Sequence, residues 1–234
     1  MTPAHALRRR RTDREARSGP LLQRPGTCPQ SSAPREPFED LLLATLLAWL
    51  GFAGNDIDEQ CWRGLVAAAS SRVPVGSTCF DDKGSGWRAH AVTVRAGEPA
   101  PLRRLPDGQI GVIDCRFEPS AVDWQTPPDE AGALVLVNPI ERRVRLLRDR
   151  LGQHPLVWAR FAEGVLVASR EHVLLGLDAL PRNYDDEFLA AQLALVDPPR
   201  GRTLYRAIEA VDPGSRVDLT SATTRVQRLA FDTD

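Results

Sequence analysis

Apolar and polar positions are most regular between Gly132 and Val173, where they form two candidate hairpins around a charged, Gly- and Pro-punctuated segment. Gly132-Ala-Leu-Val-Leu-Val-Asn138 turns at Pro139-Ile140-Glu141 into Arg143-Val-Arg-Leu-Leu-Arg148. After Asp149 to His154, Pro155-Leu-Val-Trp-Ala-Arg160 turns at Phe161-Ala-Glu-Gly164 into Val165-Leu-Val-Ala-Ser169. Apolar and β-branched runs joined by short polar loops predict antiparallel strands.

Upstream, Phe38 to Leu50 is almost continuously apolar, and such a run fits a buried helix and a buried strand equally well. From Asn55, acidic Asp58 and Glu59 precede Cys61, Leu65 and Ala68 at helical spacing, which predicts a helix to about Ser70. Trp87 to Arg95 and Gln109 to Phe117 read as strands, and the Pro-rich Glu118 to Glu130 as a loop. Downstream, Arg170 to Leu177 reads as a short helix. A second begins at Asp185-Asp186-Glu187 and stacks Leu189, Leu193 and Val196 on one side. Thr203 to Val211 reads as a helical or turn segment, and Arg216–Leu219 with Arg225–Leu229 as a last hairpin. Strands in the middle with helices before and after define an α+β chain with largely antiparallel sheets.

The remaining composition narrows the function. With 234 residues, 42% hydrophobic and 26% charged, the chain can build one good-sized core. A net charge of −1 offers no global field for nucleic acid or an anionic membrane, and no apolar run reaches the ~20 residues that span a bilayer. Cys28, Cys61, Cys79 and Cys115 contain no C-x-x-C pair, so no metal cage is expected, and reduced thiols in a cytoplasmic protein are the simplest reading. Residues 1–37, with Arg8 to Arg11 among Pro, Ser and Gln, predict a disordered basic tail.

Arg148-Asp149-Arg-Leu-Gly152-Gln-His-Pro155-Leu156 followed by Val167-Ala168-Ser169 resembles the R-D-x-x-G-x-x-P-L … F-A-S-E signature of the glutamine amidotransferase domain of asparagine synthetases. Arg202-Thr203-Leu-Tyr205-Arg-Ala-Ile208-Glu-Ala-Val211-Asp-Pro213-Gly214 is similar to that family's T-x-[FY]-x-x-I-x-x-L-x-P-G stretch. The resemblance implies a degenerate αββα sandwich of the N-terminal-nucleophile type. Its domain would cover 38–219, with 220–234 beginning a linker to a synthetase domain. Arg148, Asp149, Gly152 and Pro155 would be structural members of the motif, and His154 a packing residue.

The catalytic letters of the family are missing. Gly51-Phe52-Ala53-Gly54 is similar to the end of the family's C-G-I-A-G start, which places Leu50 at the nucleophile position without a thiol or a free amine. Val112-Ile-Asp114-Cys115-Arg116 stands where N-G-E-I-Y-N builds the oxyanion hole, so Asp114 and Cys115 fall at its positions and an anion replaces an amide donor. Arg72 is the weak counterpart of an arginine that holds the substrate carboxylate. Neither S-G-G-x-D-S nor a Walker loop occurs, so ATP and Mg are expected only on a synthetase domain elsewhere.

The resemblance thus implies a catalytically silent glutaminase-like domain of an amide ligase, with lasso-peptide macrolactam synthetases as one branch. Such a domain would act with a synthetase partner, and would meet a peptide or amino-acid substrate through that partner. The alternatives are a working glutamine-hydrolysing subunit of asparagine synthetase and a free-standing binding module.

Overall fold

In the computed structural model, residues 45–71, 78–93, 102–115 and 132–229 are described, all within the compact unit Leu41–Asp234. The basic tail, Arg72, the Glu118 to Glu130 loop and Ala230 to Asp234 lie outside the described residues.

Two six-stranded antiparallel sheets pack face to face. The first contains β1 (Thr45–Gly51), β2 (Thr78–Gly84), β3 (Trp87–Thr93), β8 (Val157–Phe161), β9 (Gly164–Ala168) and β10 (Glu209–Ala210), ordered β10-β8-β9-β1-β3-β2. The second contains β4 (Leu102–Arg104), β5 (Ile110–Cys115), β6 (Gly132–Asn138), β7 (Arg143–Arg148), β11 (Ser215–Leu219) and β12 (Thr224–Arg228), ordered β12-β11-β7-β6-β5-β4. The core between them draws Leu46, Ala48 and Leu50 from the first sheet and Val135, Leu146 and Val217 from the second. Burying one leucine of this kind contributes about 1.5–3 kcal/mol.

β1 resolves the ambiguous apolar run as a strand. It is paired on both sides, to β9 and β3, and all seven of its residues are buried. Its alternate residues Leu47 and Trp49 meet a second core, formed with α1 (Glu59–Ser70) and α2 (Glu171–Leu174), so both faces of the strand are apolar for different reasons. Asp58 caps α1 by accepting from the N–H groups of Gln60 and Cys61, which starts that helix four residues later than the sequence reading.

Both central hairpins and the β11–β12 hairpin form where the sequence places them. Three segments refine that reading. Thr78–Gly84 is a strand, although its polar Asp81-Asp82-Lys83 run hides the pattern, because it sits at a sheet edge. Of the helical and turn alternatives for Thr203 to Val211, the turn forms and leads into the two-residue β10. Residues 224–228, which the pattern reads as a hairpin strand and the resemblance places in a linker, are the edge strand of the second sheet, with five residue pairs to β11.

α3 (Asp186–Leu193) carries the predicted side of Leu189 and Leu193, but none of its residues is buried. Among the described residues no helix is long and apolar enough to cross a membrane.

Candidate functional site

The registers show which ends of the two sheets coincide. In the second sheet, Cys115 pairs with Gly132, Ala133 with Arg148 and Leu147 with Arg216, so these lie at one end. In the first sheet, Thr45 pairs with Val92, Leu47 with Ala168, and Ala168 and Ala210 with Val157. These two ends are tied together, since Arg148 Nη1 donates to the Val211 carbonyl at 2.7 Å and Val211 N donates to the Leu156 carbonyl at 2.9 Å. The opposite ends are tied by Arg142, whose Nη1 donates to the carbonyls of Gly51 at 3.4 Å and Ser85 at 3.3 Å.

The two sequence motifs meet at the first of these ends. Asp149 is 1% exposed, and its carboxylate accepts from the backbone N–H of Gln153 at 3.2 Å and of His154 at 3.3 Å. Its carbonyl accepts from Gly152 N and from Gly214 N, the latter in the downstream motif. Arg148 Nη2 donates to the Gly152 carbonyl at 2.7 Å. Burial pushes the Arg148 guanidinium below its usual range, while the charges of Asp149 and Asp212 oppose that shift.

Gly152 sits at φ +65°, and a Cβ there would lie 2.6 Å from Pro213 Cγ. The glycine is therefore required both by its left-handed backbone and by the close approach of the second motif. Pro155 precedes the buried Leu156, which opens β8 through its bond to Val211. Thr203 closes the downstream turn, with its hydroxyl donating to the Ile208 carbonyl at 3.0 Å and accepting from Tyr205 N at 3.1 Å. All of these contacts shape backbone.

The proposed chemical positions are not brought together. Leu50 is fully buried in the inter-sheet core and pairs with Val165 and Trp87, at the end tied by Arg142. Asp114 and Cys115 close β5 at the other end, opposite Ala133 and Gly132. Five residues of strand separate Leu50 from Thr45, or ~17 Å. The four-letter likeness at Gly51–Gly54 lies at the exit of β1. At the end that holds Asp114, the β1 residue is Thr45, buried to 6% exposure.

His154 is buried, and its backbone N–H donates to the Asp149 carboxylate. The second buried histidine, His90, has Nδ1 2.7 Å from Asp81 Oδ1 on the helix-facing side of the first sheet. Cys61, in the first turn of α1, is pushed up by burial and by Asp58, the reverse of thiol activation. Among the described residues no group of three His, Cys, Asp or Glu side chains could hold a metal ion.

Sequence reasoning missed a cleft of about 540 Å³ between the edges of the sheets, floored by Trp158, Ile208 and Val217 and walled by Val226 and the Arg200 to Arg206 turn. Its lining joins Trp158 and Asp185 to residues between Arg200 and Val226, a grouping that no local pattern in the sequence marks.

Residues 131–230 match the family model described as glutamine amidotransferase domain. That stretch is of the glutamine amidotransferase type, and it contains both motif segments and the bonds that join them. Among solved structures, the chain is similar to glutamine phosphoribosylpyrophosphate amidotransferase from B. subtilis complexed with ADP and GMP, at 11% identity and a TM-score of 0.42 over 80% of this chain and 50% of that one. It is also similar to a structure described as the allosteric regulatory enzyme of purine biosynthesis, at 11% identity and a TM-score of 0.47 over 80% of this chain and 49% of that one. The chain thus spans about half the length of each. No curated protein matches the sequence.

Proposed function

We propose that this chain is a catalytically silent glutaminase-like domain of an asparagine synthetase-like amide ligase, of which the lasso-peptide cyclases are one branch. The observation that carries this reading is the junction of Arg148–Pro155 with Val211–Gly214, through Arg148 Nη1 to Val211 and Gly214 N to Asp149. It keeps the scaffold of such a domain. Silence is read from the residues: β1 contains neither Cys nor Ser, and Asp114, at the oxyanion-hole position of the resemblance, is an anion where a donor would be needed.

The partner on this reading is a synthetase domain that binds ATP and Mg. α3 and the turn after it are its docking face, because Leu193 on the helix and Leu195 and Val196 beyond it are 78%, 93% and 58% exposed. Asp185 caps that helix and pairs with Arg202 at 2.6 Å, and Arg206 pairs with Asp186. The Thr203 to Val211 segment contributes less, since Thr203, Ile208 and Val211 are buried.

The test is incubation of the purified chain with glutamine, and separately with an electrophilic glutamine analogue followed by mass spectrometry. The expected result is no glutamate above background and no adduct. Turnover, or an adduct on Cys115 or Thr45, would replace this reading with that of a working glutaminase subunit.

A further inference from the structure

Among the described residues no strand pairs with the outer edge of β12. All five of its residues are exposed, and β11 is its one strand neighbour. Leu229 N donates to Gly214 O and Thr220 N to Thr223 O, which makes 229:214 and 223:220 the hydrogen-bonded pairs flanking the ladder. Alternation then assigns the β11-directed backbone groups to Arg225 and Gln227. The N–H and C=O groups of Thr224, Val226 and Arg228 therefore point away from the sheet. A row of such groups is a template for another strand.

The corresponding edge of the first sheet is closed. Beyond β10, Ala210 N donates to Gly201 O and Arg202 bridges to Glu209. Between this closed edge and β12 lies the cleft of about 540 Å³, with Trp158 and Val217 as apolar floor. Val226 stands opposite buried Val217, yet is 62% exposed because nothing from the first sheet reaches over it.

Charge selects the occupant. Arg202 and Arg206 are engaged by Asp185 and Asp186, Arg216 by Asp218, and Arg160 by the carbonyl of Thr223. Arg200 on the cleft wall and Arg225 and Arg228 on β12 have no ion pair with a described residue. Of the lining carboxylates, Asp185 is paired with Arg202 and Asp212 accepts from Gly201 N. Glu209 is the remaining one; burial raises its pKa, while the charges of Arg160 and Arg202 act to lower it.

We propose that β12 and the cleft beside it form a docking site for an extended acidic peptide. The peptide adds as a strand to the outward backbone groups of Thr224, Val226 and Arg228. One of its side-chain rows enters the cleft over Val226, and the other carries carboxylates toward Arg225. This proposal stands on the edge strand and its charges, independently of whether the chain serves an amide ligase.

The test is fluorescence anisotropy of the full chain with a fluorescein-labelled peptide of about seven residues alternating valine and glutamate. Binding is expected, and lysine in place of glutamate should weaken it by at least about tenfold, as should N-methylation of the peptide bonds that donate to β12. Val226→Pro removes an outward N–H without touching the β11 ladder, so it should keep the native circular dichroism and lose at least about tenfold in affinity. The Arg225→Glu, Arg228→Glu double variant should prefer the lysine peptide. No anisotropy rise up to about 1 mM, equal binding of the N-methylated peptide, or equal binding of the lysine peptide would overturn the proposal. So would a concentration-dependent dimer that Val226→Pro abolishes, which would assign the edge to a second copy of the chain.

Discussion

Replacing Asp149 by alanine removes the two acceptor oxygens on which the loop between β7 and β8 is folded. The His154 N–H is buried with that residue, so leaving it unpaired costs about 1–3 kcal/mol. Gln153 is exposed, and water can replace most of the bond to its N–H, leaving a net loss of about 0.5–1 kcal/mol. The backbone bonds from Gly152 and Gly214 to the Asp149 carbonyl survive the substitution but lose the geometry that the carboxylate imposes. The sum is a destabilisation of about 3 kcal/mol, which for a chain of this size lowers the thermal midpoint by roughly 6–12 °C. Asp149→Asn retains one acceptor and should lose about half as much. Thermal unfolding followed by circular dichroism, with urea titration of the same proteins, reads both values. An alanine variant that unfolds within about 1 °C of the parent would refute the argument that this carboxylate organises the loop.

Gly152→Ala should destabilise by at least about 1–2 kcal/mol through its left-handed backbone alone, with Pro213 displaced besides; an unchanged urea midpoint would contradict that geometry. Asp185 supplies a pH-dependent contribution. Its carboxyl is held below the usual range first by the Phe188 N–H at the cap and then by Arg202, so its stabilisation is complete above the unfolded value near ~3.9 and is lost as pH falls through the lower folded value. The urea midpoints of the parent and Asp185→Asn should therefore differ at neutral pH and converge in acid, and a gap independent of pH would remove the carboxylate's charge from the account.

Local letters determined the hairpins β6–β7, β8–β9 and β11–β12, because alternation and turn residues act within a few positions of one another. They also marked the acidic helix starts near Asp58 and Asp185, though not which residue caps α1, and placed Gly152 in the Arg148–Pro155 motif. What they could not determine depends on neighbours distant in sequence. Thr45–Gly51 is a strand because β9 and β3 pair with both its edges while two cores cover its two faces, and an all-apolar run has no periodicity to announce this. Thr78–Gly84 escaped for the converse reason, since an edge strand tolerates polar letters. The spacing of Leu189 and Leu193 specified one side of a helix, but periodicity says nothing of whether anything covers that side, and none of the described residues buries it. The candidate site shows the same division. The sequence named Arg148, Asp149, Gly152 and Pro155 as one motif and Val211 to Gly214 as another, and folding joined them by bonds spanning more than sixty residues. Leu50 was placed by the Gly51–Gly54 likeness and Asp114 by a separate likeness over Val112–Arg116, and strand direction sends these two backbone positions to opposite ends of the sandwich, since each residue along β1 advances the chain by ~3.3 Å.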